Sequence, residues 1–156
     1  MKYTEASQGR IFILRMEHGD KIPDLIEEFA QEQQIKAALV FLLGGADTGS
    51  QVVVGPEDGT SPKPIPMVTS LLGTSEALGL GTLFCDEEGL PKLHLHASFG
   101  RSREAITGCT REGVAIWQIG EVVIQELRNS SAHRKIDPQT GFELLEVAGT
   151  PEAAKL

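Results

Sequence analysis

The stretch Leu93-His94-Leu95-His96-Ala97-Ser98-Phe99-Gly100-Arg101 decides how the rest of the chain is read. Apolar and imidazole side chains alternate from Leu93 to His96. A strand puts residues i and i+2 on one face, so His94 and His96 point one way and Leu93 and Leu95 the other. Two imidazoles on one face can grip a single metal ion, each giving one ring nitrogen while a neighbour holds the second. Downstream, Gly100-Arg101-Ser102-Arg103 carries turn chemistry. A hairpin closing there returns Thr107–Thr110 opposite His94–His96 and brings Cys109 toward the rings. One thiolate with two imidazoles is a soft, zinc-like donor set with one position open, the arrangement of a reactive site rather than a closed structural one. Plainer roles fit the same residues: histidines on a solvated strand face or hydrogen-bonded in a subunit contact, and Cys109 as a small buried hydrophobe.

Working outward, the 156 residues suit one domain with a real core. The 40% hydrophobic and 23% charged fractions are those of an ordinary globular protein. Seventeen glycines and eight prolines imply many turns, hence many short strands. Fourteen basic against 22 acidic residues give a formal charge of −8. Neutralising a polyanion needs clustered Lys and Arg, so this balance disfavours nucleic acid as a partner while leaving room for a local basic patch. The longest apolar run, Ala37 to Leu43, is far short of the roughly 20 residues of a membrane span. The opening Met1-Lys2-Tyr3-Thr4-Glu5 is polar, so no signal peptide is expected. Cys85 and Cys109 make no disulfide framework, so both thiols are expected free and the compartment cytoplasmic.

Gly9–Met16 is rich in branched and aromatic residues and predicts a strand. Asp20 is the expected N-cap of a helix with Pro23 in its first turn; Ile22, Leu25, Ile26, Phe29 and Ala30 form its apolar face, and Glu27, Glu28, Gln31 and Glu32 an acidic face expected to be solvated. Ile35–Leu43 is a buried strand ending in Gly44-Gly45, a turn or bulge. Strands follow at Gln51–Gly55, Met67–Leu72 and Ala77–Phe84, with a hairpin loop from Pro56 to Pro66. Gly79 and Gly81 mark a bulge or a close backbone approach. Val114–Gln118 and Val122–Leu127 are two strands divided by Ile119-Gly120-Glu121, and Trp117 is expected in a core or an interface. Two short extended pieces flank a turn at Ile136–Phe142. The sum is an antiparallel-rich α+β domain with one main helix over residues 1–147, and a disordered tail over 148–156.

This order of elements, with Ser75-Glu76-Ala77-Leu78-Gly79-Leu80-Gly81-Thr82, Leu93-His94-Leu95-His96 and the Gly108-Cys109 segment, resembles the plants-and-prokaryotes conserved (PPC) domain in its stand-alone prokaryotic form. The likeness runs from about Gly9 to Leu145. It implies a compact, mostly antiparallel domain assembled as a homotrimer. Plant members carry AT-hooks and bind DNA, and bacterial members share that expectation by name. Prokaryotic members resemble metal proteins whose ligands are the two histidines of a His-x-His strand and a third histidine after a glycine pair. His94 and His96 match the first two, and Cys109 stands where the third is usual. Thr107-Gly108 replaces the glycine pair. Cysteine in that position favours zinc over harder ions.

Three functions follow as expectations. Zinc on His94, His96 and Cys109, with water or a small ligand in the fourth position, would activate the water or polarise a carbonyl. The resemblance offers Glu76 as a base or hydrogen-bonding neighbour, and Arg101 could hold an anionic substrate. DNA binding is the rival, but no Arg-Gly-Arg-Pro hook and no second helix are present, and a trimer triples the negative charge. The third is a trimeric scaffold in which neighbouring subunits cover an apolar sheet edge.

Overall fold

The computed structural model describes residues 1–147. Its elements are β1 (Ser7–Glu17), β2 (Lys21–Ile22), α1 (Asp24–Glu32), β3 (Ala37–Ala46), β4 (Gln51–Pro56), β5 (Pro66–Ser70), β6 (Ser75–Cys85), β7 (Pro91–Arg101), β8 (Glu104–Cys109), β9 (Val114–Arg128), β10 (Ala132–Ile136) and β11 (Glu143–Val147). One sheet runs in the order β1-β9-β3-β6-β7-β8-β4-β5, with β2 paired to β9, and every pairing is antiparallel. β10 and β11 form a separate hairpin. The antiparallel-rich architecture with one helix is as the sequence implies. The proposed tail, 148–156, lies outside the described residues.

Strand alternation divides the sheet into two unlike faces. One carries Met16, Val40, Leu42, Leu83, Leu93, Leu95, Val122 and Ile124, all buried, and α1 lies against it through Ile26 and Ala30. Phe29 of α1 meets Phe12 of β1 edge to face, with ring centres 5.3 Å apart. The opposite face includes the row Ile13–Val123–Phe41–Leu80–His96–Cys109–Val53, one residue per strand across the sheet. It is apolar yet open: Ile13 is 83% exposed, Leu78 68% and Leu80 58%.

Several local expectations are corrected. Asp20 does not cap the helix. Its Oδ2 accepts the Glu17 N–H at 2.8 Å, closing the turn after β1. Lys21 and Ile22 pair with Ala115 and Val114 of β9, so the chain is still extended there and α1 starts at Asp24 behind Pro23. Val114 to Arg128 is one strand rather than two. Its irregularity near Gln118 (φ 63°) is taken up as a bulge against Gly44 and Gly45 of β3. A side chain on Gly44 would collide with the backbone of Ile119 and Gly120, which explains the glycine. Gly81 also serves close approach: a Cβ there would stand 2.8 Å from the His94 carbonyl oxygen, and the β6–β7 register runs past it without a shift. Trp117, at 38% exposed, is outside the core of the chain.

Candidate metal centre

The histidine strand lies between β6 and β8, which sets the site. Leu93, Leu95, Ala97 and Phe99 are buried beneath it, and His94 and His96 stand on the open face. The tight turn after Arg101 uses Ser102 at φ 58° and starts β8, whose Cys109 arrives directly opposite His96. Thr110, 1% exposed, then fastens the segment, donating its N–H at 3.0 Å and its hydroxyl at 3.2 Å to the Leu95 carbonyl. Gly108 lets β8 lie close on β4, since any Cβ would overlap the Val53 carbonyl oxygen.

One ligand atom each from His94, His96 and Cys109 lie within 4.8 Å of one another. The two Nε2 atoms are 3.0 Å apart and the rings meet edge to face at 81°. Cys109 is buried. Partial desolvation holds the His94 pKa below its ordinary value, helped by the charge of Arg134, by His96 and by Arg111. A neutral ring offers its nitrogen to a metal without competition from a proton. The sequence pattern thus brings all three proposed ligands together.

Glu76 and Arg101 are elsewhere. Glu76 pairs with Gly100 at the far end of β6 and β7, and Arg101 donates to the Thr74 carbonyl at 2.6 Å. Neither lines the cavity described next. The arginines of the chain are dispersed rather than gathered into one basic patch. Arg101 and Arg103 flank the start of β8, whereas Arg111 follows its end, roughly 20 Å along the strand. Arg128 is paired to Glu126 at 3.2 Å, and Arg134 is buried.

A cavity of about 550 Å³ opens beside the three candidate ligands. The 56–66 loop forms one wall, the β10–β11 hairpin another, and Pro23 just before α1 and Glu27 on it add to the lining. Glu27 was expected in solvent. Instead its Oε1 accepts the Leu93 N–H at 2.8 Å. β8 ends opposite His96 and leaves that part of β7 without a strand on this side, so a helix side chain takes the bond. Burial pushes the Glu27 carboxyl above its usual range, although the Leu93 N–H and Lys92 favour the anion. Arg134 is the second residue missed. It reaches from β10 to β6, where Nη2 donates to Thr82 Oγ1 at 2.9 Å. No local pattern marks either residue, because their partners lie 66 and 52 positions away.

The pattern of the Plants and Prokaryotes Conserved (PCC) domain matches residues 3–128. The chain belongs to this family. Solved structures agree with the family's fold. A metal-containing protein from Archaeoglobus fulgidus is 26% identical, with a TM-score of 0.78 over 94% of this chain and 99% of that one. A plant- and prokaryote-conserved protein from Pyrococcus horikoshii is 22% identical, with a TM-score of 0.81 over 96% of this chain and 100% of its own. A supposed DNA-binding protein from Bacteroides thetaiotaomicron is 16% identical, with a TM-score of 0.74 over 91% and 97%. No protein of curated function matches the chain. Among the described residues, no helix is long and apolar enough to cross a membrane.

Proposed function

We propose that this PCC-domain protein is a trimeric zinc-binding protein whose metal is held by His94, His96 and Cys109, with a fourth position open to water or a small ligand. The observation that carries the reading is the convergence of three donor atoms within 4.8 Å from two paired strands. Tetrahedral zinc, with Zn–N near 2.0–2.1 Å and Zn–S near 2.3 Å, spaces its donors by about 3.3–3.6 Å. Small side-chain rotations close that difference, and the donor set is soft enough to select zinc. Bound zinc would supply a polarising centre for water or a carbonyl. Around it, this chain's own groups shape the cavity: Cys109 is shielded from bulk water, and Glu27 holds the strand end through the Leu93 N–H. A thiolate ligand needs a reducing compartment, which is the basis for proposing a cytoplasmic location.

The trimer is supported by the open apolar face. Ile13, Leu43, Leu78 and Leu80 stand exposed on β1, β3 and β6, and covering each is worth on the order of 1.5–3 kcal/mol. DNA binding ranks second, since the arginines are dispersed and the charge is −8.

Metal analysis of protein purified without added metal tests the reading. The wild type is expected to hold about one zinc per chain, and a His94→Ala/His96→Ala double variant almost none. Equal, trace metal in both would end it.

A further inference from the structure

Arg134 is charged, buried and unused by the metal reading. It is 4% exposed and lines the cavity with His94, His96 and Cys109. Among the described residues, its hydrogen bonds run only from Nη2 to Thr82, at 2.9 Å to Oγ1 and 3.4 Å to the carbonyl. The other cations of the lining have acidic partners. Lys92 Nζ is 3.8 Å from Asp86 Oδ2, and Arg111 Nε is 4.0 Å from Glu112 Oε1. No carboxylate of the described residues comes within that range of Arg134. Glu143 shares the lining and favours the Arg134 charge from a greater distance.

Little of Arg134 reaches water, the Phe84 ring 5.8 Å away and Thr82 leave its charge unneutralised, and arginine does not escape by losing its proton. A planar fork held this way is the usual receptor for a carboxylate. Much of the remaining wall is apolar, including Val53, Pro64, Phe142 and Leu144. About 550 Å³ is within the range of small-molecule sites.

We propose that the cavity receives a small organic acid, with its carboxylate on the Arg134 guanidinium and its apolar body against the 56–66 loop and Phe142. The inference names the ligand class for the site proposed above, but it stands on Arg134 and the cavity, and so holds with or without zinc.

The probes are 4-phenylbutyrate and its neutral amide, titrated calorimetrically into the full chain in metal-free and zinc-loaded forms. The acid is expected to bind about ten-fold or more tighter than the amide in both forms. Arg134→Met is expected to erase that preference while retaining its zinc, and Arg103→Met, in the β7–β8 turn away from the cavity, to keep it. The Arg134 Nε–H proton resonance of the wild type gives a readout that needs no variant: it should move with the acid and stay with the amide. Equal binding of acid and amide, or an Arg134→Met protein that binds the acid as the wild type does, overturns the proposal. A preference seen only with zinc, and unchanged in Arg134→Met, assigns the carboxylate to the metal and also overturns it, while leaving the zinc reading intact. Absence of zinc from the wild type, with the preference still present, does the reverse.

Discussion

Replacing Gly108 by alanine should weaken both the fold and the metal site, although Gly108 offers no ligand atom. A Cβ there would overlap the Val53 carbonyl oxygen and stand 2.6 Å from Val52 Cγ1 and 2.9 Å from the Val53 carbonyl carbon. Ordinary contact starts near 3.4 Å, so the gap to Val52 must open by about 0.8 Å. Val52 is fully buried and cannot swing aside. The strain therefore falls on the spacing of β8 and β4, where Cys109 sits opposite Val53. Overpacking of this kind costs about 1–3 kcal/mol. Disturbing the groups that orient metal ligands typically costs about 10–100-fold in affinity, so zinc affinity should fall about ten-fold or more. Urea unfolding in the presence of a chelator measures the first effect, and competition against a chromophoric zinc chelator the second. Gly100→Ala is the control, because the nearest atom to its added Cβ is the Glu76 carbonyl oxygen at 4.0 Å; it should stay within about 0.5 kcal/mol of the wild type. If Gly108→Ala matches the wild type in both measurements, strand spacing does not govern the thiol. A loss of stability with zinc affinity unchanged would refute the coupling alone.

Leu80→Glu puts a charge in the middle of the open apolar face, beside Phe41 and His96 in the row. Light scattering should give about three times the 16.8 kDa chain mass for the wild type and a single chain for the variant; a wild-type monomer would remove the trimer proposal. Glu126 accepts two bonds from Arg10 at 2.9 Å, from the backbone N–H and Nε, and a third from Nη2 at 3.0 Å. These bonds and the nearby positive charges hold its carboxyl down at about 2, against an ordinary 4.5. A depressed carboxylate stabilises the fold above the ordinary value, and that contribution drains as pH falls toward 2. Arg10 is 41% exposed and water screens the pair, so about 1–2 kcal/mol is at stake rather than the full shift. Between pH 7 and 3 the wild type should lose that much more stability than Glu126→Gln in urea titrations; parallel curves would show that the pair contributes nothing.

The three proposed ligands were legible because they are local. His94, His96 and Cys109 belong to one hairpin, and alternation plus turn chemistry places such residues without reference to the rest of the chain. The amphipathic pattern located the helix for the same reason, yet it missed the start by several residues, because pairing with β9 holds Lys21 and Ile22 extended. Glu76 and Arg101 show the limit of position along a strand: they flank the same hairpin, but at the end remote from the cavity.

What the sequence by itself determined was the antiparallel α+β class and the His/His/Cys cluster, both products of near-neighbour geometry. The tertiary structure alone decided that Glu27 leaves solvent to bind the Leu93 N–H, that Arg134 is buried against Thr82, and that a cavity opens between them. Those contacts depend on where β8 stops and on how the β10–β11 hairpin folds back. Such long-range closures are set by the packing of the whole sheet, and no local propensity encodes them.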